Sequence, residues 1–138
     1  YGLYNIIVAQ DRPAVSAVLD WEMSTLGDPF IDLTHHLRPY WEPNDDSGAA
    51  SSLRGLDLEA LGIPSMDAYI DLSCRNRGIA ELPHRAFYIG FAQFRYAAMI
   101  QGILKRAALG TNSSRVTLHT QERVLAVAAM ARATLEGR

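Results

Sequence analysis

The sequence predicts a mostly helical α+β fold, a β-hairpin followed by helices. Three observations carry this expectation: two β-branched runs around a short polar connection near the start, acid- or serine-capped helix starts, and a long amphipathic pattern through the last half. A length of 138 residues allows one domain of ordinary size and no more. A net charge of −2 at pH 7 removes the basic footprint of a nucleic-acid binder. No apolar run is long enough to span a membrane, and no signal-peptide pattern opens the chain. The single cysteine, Cys74, forbids an intrachain disulfide framework and fits a reducing compartment, so a cytoplasmic setting is expected.

The elements follow in order. Asn5–Ala9 and Ala14–Leu19 are the two apolar runs, and Gln10-Asp11-Arg12-Pro13 is the polar turn between them. A hairpin alone is marginal in water and must lean on other structure. Asp28-Pro29 starts a helix, because the carboxylate caps free N–H groups and proline is tolerated at the first helical position. Pro39 and Pro43 are expected to bracket its end. Residues 44–55 are small and polar and read as a loop, the best candidate for disorder. Ser65 caps a helix ending near Gly78. From His84 to Leu109, Phe87, Phe91, Phe94 and Ala98 recur at the 4-3-4 spacing of one helix face, which is expected to pack in the core rather than line an acyl pocket. Gly110 ends that helix. Ser113 or Ser114 is expected to start the last one, with Val124, Val127, Ala128, Ala131 and Leu135 as its apolar stripe and Arg123 and Arg132 as polar positions. These two helices should pack antiparallel. The chain divides into a hairpin region (1–22), a helix with a variable loop (23–64) and a helical subdomain (65–138).

Asn5 and Asp20 carry the chemistry. Asn5 precedes Asp20 by 15 residues across the hairpin, which places both at one end of it. An amide oxygen and a carboxylate suit a hard cation such as Mg²⁺, which takes few protein ligands and leaves the rest to phosphate oxygens. Kinase-type phosphoryl transfer uses such a pair, with a catalytic aspartate five residues ahead of the asparagine. The competing reading is a turn asparagine and a strand-end aspartate making local hydrogen bonds.

Three ordered segments resemble the aminoglycoside phosphotransferase family. Tyr1-Gly2-Leu3-Tyr4-Asn5 is similar to the tail of its H-G-D-x-x-x-x-N motif, Leu19-Asp20-Trp21-Glu22 to its D-[WF]-E, and Gly27-Asp28-Pro29-Phe30-Ile31-Asp32-Leu33 to its G-D-P-x-x-D-L. Phe94–Ile103 and Gly110-Thr111-Asn112-Ser113-Ser114 further resemble the phosphotransferase domains fused to acyl-CoA dehydrogenases. The resemblance implies the C-terminal lobe of a protein-kinase-like fold, transfer of a phosphoryl group from ATP to a small-molecule hydroxyl, and a Mg²⁺ requirement. It tilts the acceptor toward a hydroxyacyl compound such as a hydroxyacyl-CoA. It also assigns Asn5 and Asp20 as metal ligands and Asp28 as a structural brace. Trp21 is expected to pack, Glu22 either lies near the metal or orients its neighbours, and Asp32 completes the third motif.

The same resemblance places the catalytic base and its His-Gly partners just ahead of Tyr1. The phosphate-cradling lobe likewise has no counterpart in these residues, so this segment alone is expected to be inactive and to need its longer parent to hold ATP and Mg²⁺. The alternative from another class is a non-catalytic binding or self-assembly module whose exposed lobe face is covered by another copy.

Other notable residues take blander readings. His35 and His36 point about 100° apart on a helix and suit a surface-plus-core pair. His84 and His119 read as helix-start and helix-surface residues, and Cys74 as a small buried hydrophobe. Lys105 and Arg106 suit a solvated helix end rather than a contact with an anionic substrate tail. Arg95, set among aromatics, is expected to be buried and paired with Asp28 or Asp32.

Overall fold

The computed structural model describes residues 2–22, 24–44, 52–111 and 120–137. Two antiparallel strands, β1 (Ile6–Val8) and β2 (Val15–Val18), open the chain. Among the described residues, five helices follow: α1 (Pro29–His36), α2 (Arg38–Trp41), α3 (Met66–Asn76), α4 (Arg85–Ala108) and α5 (Gln121–Leu135). The strands pair as Ile6↔Val18, Ile7↔Ala17 and Val8↔Val15, with an irregularity after Ile7. The hairpin is shorter than the apolar runs suggest, since Asn5 closes a 3-10 turn over Leu3–Asn5 instead of extending the strand.

Side-chain caps set three helix starts. Asp28 accepts from the Phe30 amide at 2.9 Å, Ser65 from Ala68 at 3.2 Å, and Thr120 from Arg123 at 3.2 Å. Ser113 and Ser114 lie outside the described residues, and the described α5 begins after Thr120. Pro39 does not end the first helix. It sits in the first turn of α2, where its missing N–H costs nothing, and the backbone leaves the helical conformation at Glu42, ahead of Pro43. Of the expected loop, residues 45–51 lie outside the described residues. Its far end is tied down by Ser52 Oγ donating to the Glu42 carbonyl at 2.7 Å and by the Leu53 amide donating to Pro39 O at 2.7 Å.

The core lies between α4, α5, α1 and α3, centred on Leu37, Ile70, Cys74, Ile100 and Val127. The aromatic stripe does not enter it. Phe87 and Phe94 are 56% and 59% exposed, and α4 buries Ile89, Gly90, Ala92, Gln93, Tyr96, Ala97 and Ile100 instead. Both faces of α4 carry large side chains at 4-3-4 spacing, so periodicity alone could not choose between them. Size does. At Gly90 an added Cβ would fall 2.7 Å from Leu135 Cγ and 3.3 Å from the Ala131 carbonyl, so only the small-residue face admits α5 at this distance. Contact between the start of α4 and the end of α5 makes the pair antiparallel. On α5, Val124, Val127 and Ala131 are buried, whereas Ala128 is exposed and Leu135 half-exposed over Gly90.

Arg123 is no surface position. It is 8% exposed, and it donates to the buried Glu42 carboxylate. Tyr96 Oη of α4 donates to the same oxygen of Glu42, and Arg38 Nε lies 3.4 Å from the other. Glu42 at the end of α2 thus gathers groups from three helices. Burial, then the hydrogen bond to Glu42, pushes the Tyr96 phenol up to about 12, which keeps it a donor at any working pH.

His35 and His36 are both half-buried, and His36 stacks on Tyr69 with ring centroids 5.4 Å apart. Burial lowers the His35 pKa from 6.5 to about 4, helped by the charges of Arg38 and Arg95.

Two predictions follow from this interior. Arg123→Met leaves Glu42 buried with one cationic neighbour fewer and should cost about 3 kcal/mol in urea unfolding; a loss below about 1 kcal/mol would contradict the network. His35 binds its proton near pH 6.5 when unfolded and near pH 4 when folded. Its contribution is therefore complete above pH 6.5 and is lost as pH falls towards 4. Allowing for the ring's partial exposure, that loss is about 2 kcal/mol, and His35→Gln should remove it from the pH dependence of stability in that window.

Candidate functional site

The hairpin register places the two candidate ligands together. Beyond the Ile6↔Val18 pair, the Leu19 amide donates to the Asn5 carbonyl at 2.8 Å, so the ladder runs one step further and delivers Asp20 beside Asn5. Asn5 Nδ2 donates to Asp20 Oδ2 at 3.0 Å. That bond orients the amide: its nitrogen faces the carboxylate, and its oxygen stays available together with Asp20 Oδ1. Asp20 adopts φ 66°, a left-handed conformation that aspartate tolerates better than most residues and that costs about 1 kcal/mol or more. The strain buys a sharp turn of the chain away from β2 with the carboxylate facing Asn5.

Trp21 is 66% exposed and does not pack as expected. Its Nε1–H donates to the Val18 carbonyl at 2.6 Å, which clamps the Asp20 turn back onto the strand end. Ser24 N donating to Trp21 O at 2.9 Å continues the turn. Glu22 is exposed and does not line the cleft described below.

Asp28 joins this loop to the helices. One carboxylate oxygen caps α1 through the Phe30 amide, and the other accepts from Tyr88 Oη of α4. The hydrogen bond to that carboxylate raises the Tyr88 pKa. Phe30 and Tyr88 meet edge-to-face at 5.4 Å and support the same joint.

Asn5, Asp20, Trp21, Asp28 and Asp32 border one cleft of about 700 Å³. Arg95 borders it too, and here the structure corrects the sequence reading. Arg95 is exposed, with its guanidinium 5.8 Å from the Phe91 ring centroid, and Asp28 takes Tyr88 as its side-chain partner. The buried arginine is Arg123, which α5 carries to Glu42. Tyr88 escaped the sequence reading altogether, because it lies 60 residues from Asp28 with no local pattern linking them.

The donor set fits a magnesium ion chelated by phosphate. Both available atoms are hard oxygens, Asp20 is exposed, and the cleft leaves room for waters and phosphate oxygens to complete the shell. Among the described residues, no group of three or more His, Cys, Asp or Glu could hold a metal ion by itself. A two-ligand site completed by substrate is therefore the arrangement that these side chains can support.

Known proteins resemble this chain over most of its length. The model of the phosphotransferase enzyme family matches residues 1–69, half of the chain and the half that holds Asn5, Asp20 and Asp28. The chain is 40% identical over 114 residues to acyl-CoA dehydrogenase family member 10 of Mus musculus, covering 83% of this chain and 11% of that protein. It is 39% identical over 115 residues to acyl-CoA dehydrogenase family member 11 of Homo sapiens, covering 83% of this chain and 14% of that protein. A solved structure from Ralstonia eutropha JMP134, described provisionally as an aminoglycoside phosphotransferase, superposes with a TM-score of 0.73 at 36% identity. That match covers 99% of this chain and 38% of the other. The chain thus spans 11% to 16% of the length of the curated relatives it matches. The mostly helical α+β architecture with its front hairpin is that of the C-terminal lobe of a kinase-like phosphotransferase, and the chain belongs to the phosphotransferase enzyme family.

Proposed function

We propose that this chain supplies the metal-binding part of an ATP-dependent phosphotransferase that phosphorylates a hydroxyl group of a small molecule. The observation that carries the reading is the Asn5–Asp20 pair, hydrogen-bonded at 3.0 Å on the rim of an open cleft. When bound there, Mg²⁺ would supply charge neutralisation and alignment of the nucleotide phosphates. Asn5 offers its amide oxygen, Asp20 its second carboxylate oxygen, and the Trp21 clamp holds the turn that aims them. By resemblance to the family, a His-Gly-Asp segment would supply the base that takes the acceptor's proton. The relatives named for acyl-CoA dehydrogenation, with the Phe94–Ile103 segment, support a hydroxyacyl compound such as a hydroxyacyl-CoA as the acceptor. A free buried thiol at Cys74 suits a reducing, cytoplasmic setting.

A second reading draws on the hairpin. Val8, Val15 and Trp21 are 61%, 58% and 66% exposed, an apolar surface that an assembly partner would cover. Sedimentation that finds only monomer over the micromolar range would dismiss self-association.

The catalytic reading is tested in the full-length protein with Mg²⁺–ATP and hydroxyacyl acceptors. Asp20→Asn and Asn5→Ala should each lower turnover by about 10²–10³-fold with an unchanged circular-dichroism spectrum. Turnover within about tenfold of wild type in both variants would refute the assignment. Residues 1–138 expressed alone should transfer no phosphate in the same assay.

A further inference from the structure

We infer that Arg95 selects the acceptor: it grips an anionic group, a carboxylate or a phosphate, on the molecule whose hydroxyl is phosphorylated. The inference rests on the phosphotransferase reading and deepens it. Three aspartates border the cleft, Asp20, Asp28 and Asp32, and Arg95 is the one basic side chain among the described residues that line it. Among the described residues that line this cleft, an anionic acceptor meets carboxylates and one guanidinium, and only the guanidinium attracts it. Arg95 is also free to act. It is exposed, and among the described residues it makes no ion pair. The face of Phe91 lies 5.8 Å from the guanidinium, which steadies the planar group while leaving its N–H edges open to a ligand.

The setting extends the argument from charge to shape. Phe87 stacks on Phe91 at 6.0 Å with rings 6° from parallel, and Arg95 follows one turn later. Phe87, Phe91 and Arg95 therefore form a ladder along α4, with exposed Phe87 at the far end and the cleft at the near end. A side chain with an apolar body and a cationic tip would be an ordinary solvent contact elsewhere. Here it ends in the same cleft as the Asn5–Asp20 pair. An arginine recognises carboxylate and phosphate through paired, charge-assisted hydrogen bonds, whereas an amide or neutral thioester offers it far less.

The experiment compares two acceptor pairs that differ in anionic charge: 3-hydroxybutyrate with 3-hydroxybutyramide, and 3-hydroxybutyryl-CoA with 3-hydroxybutyryl-pantetheine. Binding to the full-length protein is measured by calorimetry without nucleotide or metal, so the result does not depend on turnover. Wild type should favour the anionic member of one pair by about tenfold or more, and which pair does so tells carboxylate from phosphate. Arg95→Gln should abolish that preference while binding of the neutral member stays within about twofold, and Arg95→Lys should retain part of it. The KM for ATP should not move in either variant. The inference is overturned if wild type prefers neither anionic member, if Arg95→Gln weakens both members of a pair equally, or if only the KM for ATP changes. Failure of the phosphotransferase reading would show separately, as turnover that survives Asp20→Asn.

Discussion

The carboxylate of Asp28 is the joint on which the site depends. A two-stranded hairpin with little apolar cover cannot hold its place alone. What fixes this one is the loop that leaves it, and Asp28 ties that loop at both oxygens. One satisfies the N-terminus of α1, and the other receives the Tyr88 hydroxyl from α4. The Asn5–Asp20 pair on the hairpin and the arginine on α4 thereby face a common cleft. Neither element would position the other without this connection, because among the described residues Asn5 and Asp20 bond to each other, to Gly2 and to Leu19, none of which belongs to the helices.

Behind the cleft, the helical body is held by burial and by one charged centre. Glu42, 2% exposed, takes a hydrogen bond from Tyr96 and an ion pair from Arg123, with Arg38 beside its second oxygen. A buried carboxylate with these partners does little for stability compared with an apolar replacement, yet breaking it is costly. Its effect is to fix one relative placement of α2, α4 and α5. That placement keeps the small-residue face of α4 against α5 and leaves Phe87 and Phe94 exposed on the other face. The packing and the proposed acceptor strip are two sides of the same helix.

Much of this was legible in the sequence, and the losses have physical reasons. The hairpin, the Asp28 and Ser65 caps and the long α4 follow from local rules, because caps, turns and β-branched runs act within a few residues. Asn5 and Asp20 could be placed together, since register across a short turn is itself a local property. The buried face of α4 could not be chosen, because Phe87–Phe91–Phe94 and Ile89–Gln93–Tyr96 have the same spacing and the size of Gly90 against α5 decides. Arg95 and Arg123 exchanged expected roles for a related reason. Which arginine meets a buried carboxylate depends on contacts such as Arg123–Glu42, 81 residues apart, that no pattern encodes. The Trp21 ring is exposed and its Nε1–H donates to the Val18 carbonyl, so an expected packing residue became a hydrogen-bonded clamp.

The central claim is that Asn5 and Asp20 form the protein's half of a Mg²⁺–nucleotide site. The most direct measurement is a crystal structure of the full-length protein with Mg²⁺ and a non-hydrolysable ATP analogue. The account predicts an ion about 2.0–2.1 Å from both Asn5 Oδ1 and an Asp20 carboxylate oxygen, its remaining positions filled by phosphate oxygens and water. An ion held by other side chains, with Asn5 and Asp20 still bonded only to each other, would contradict it.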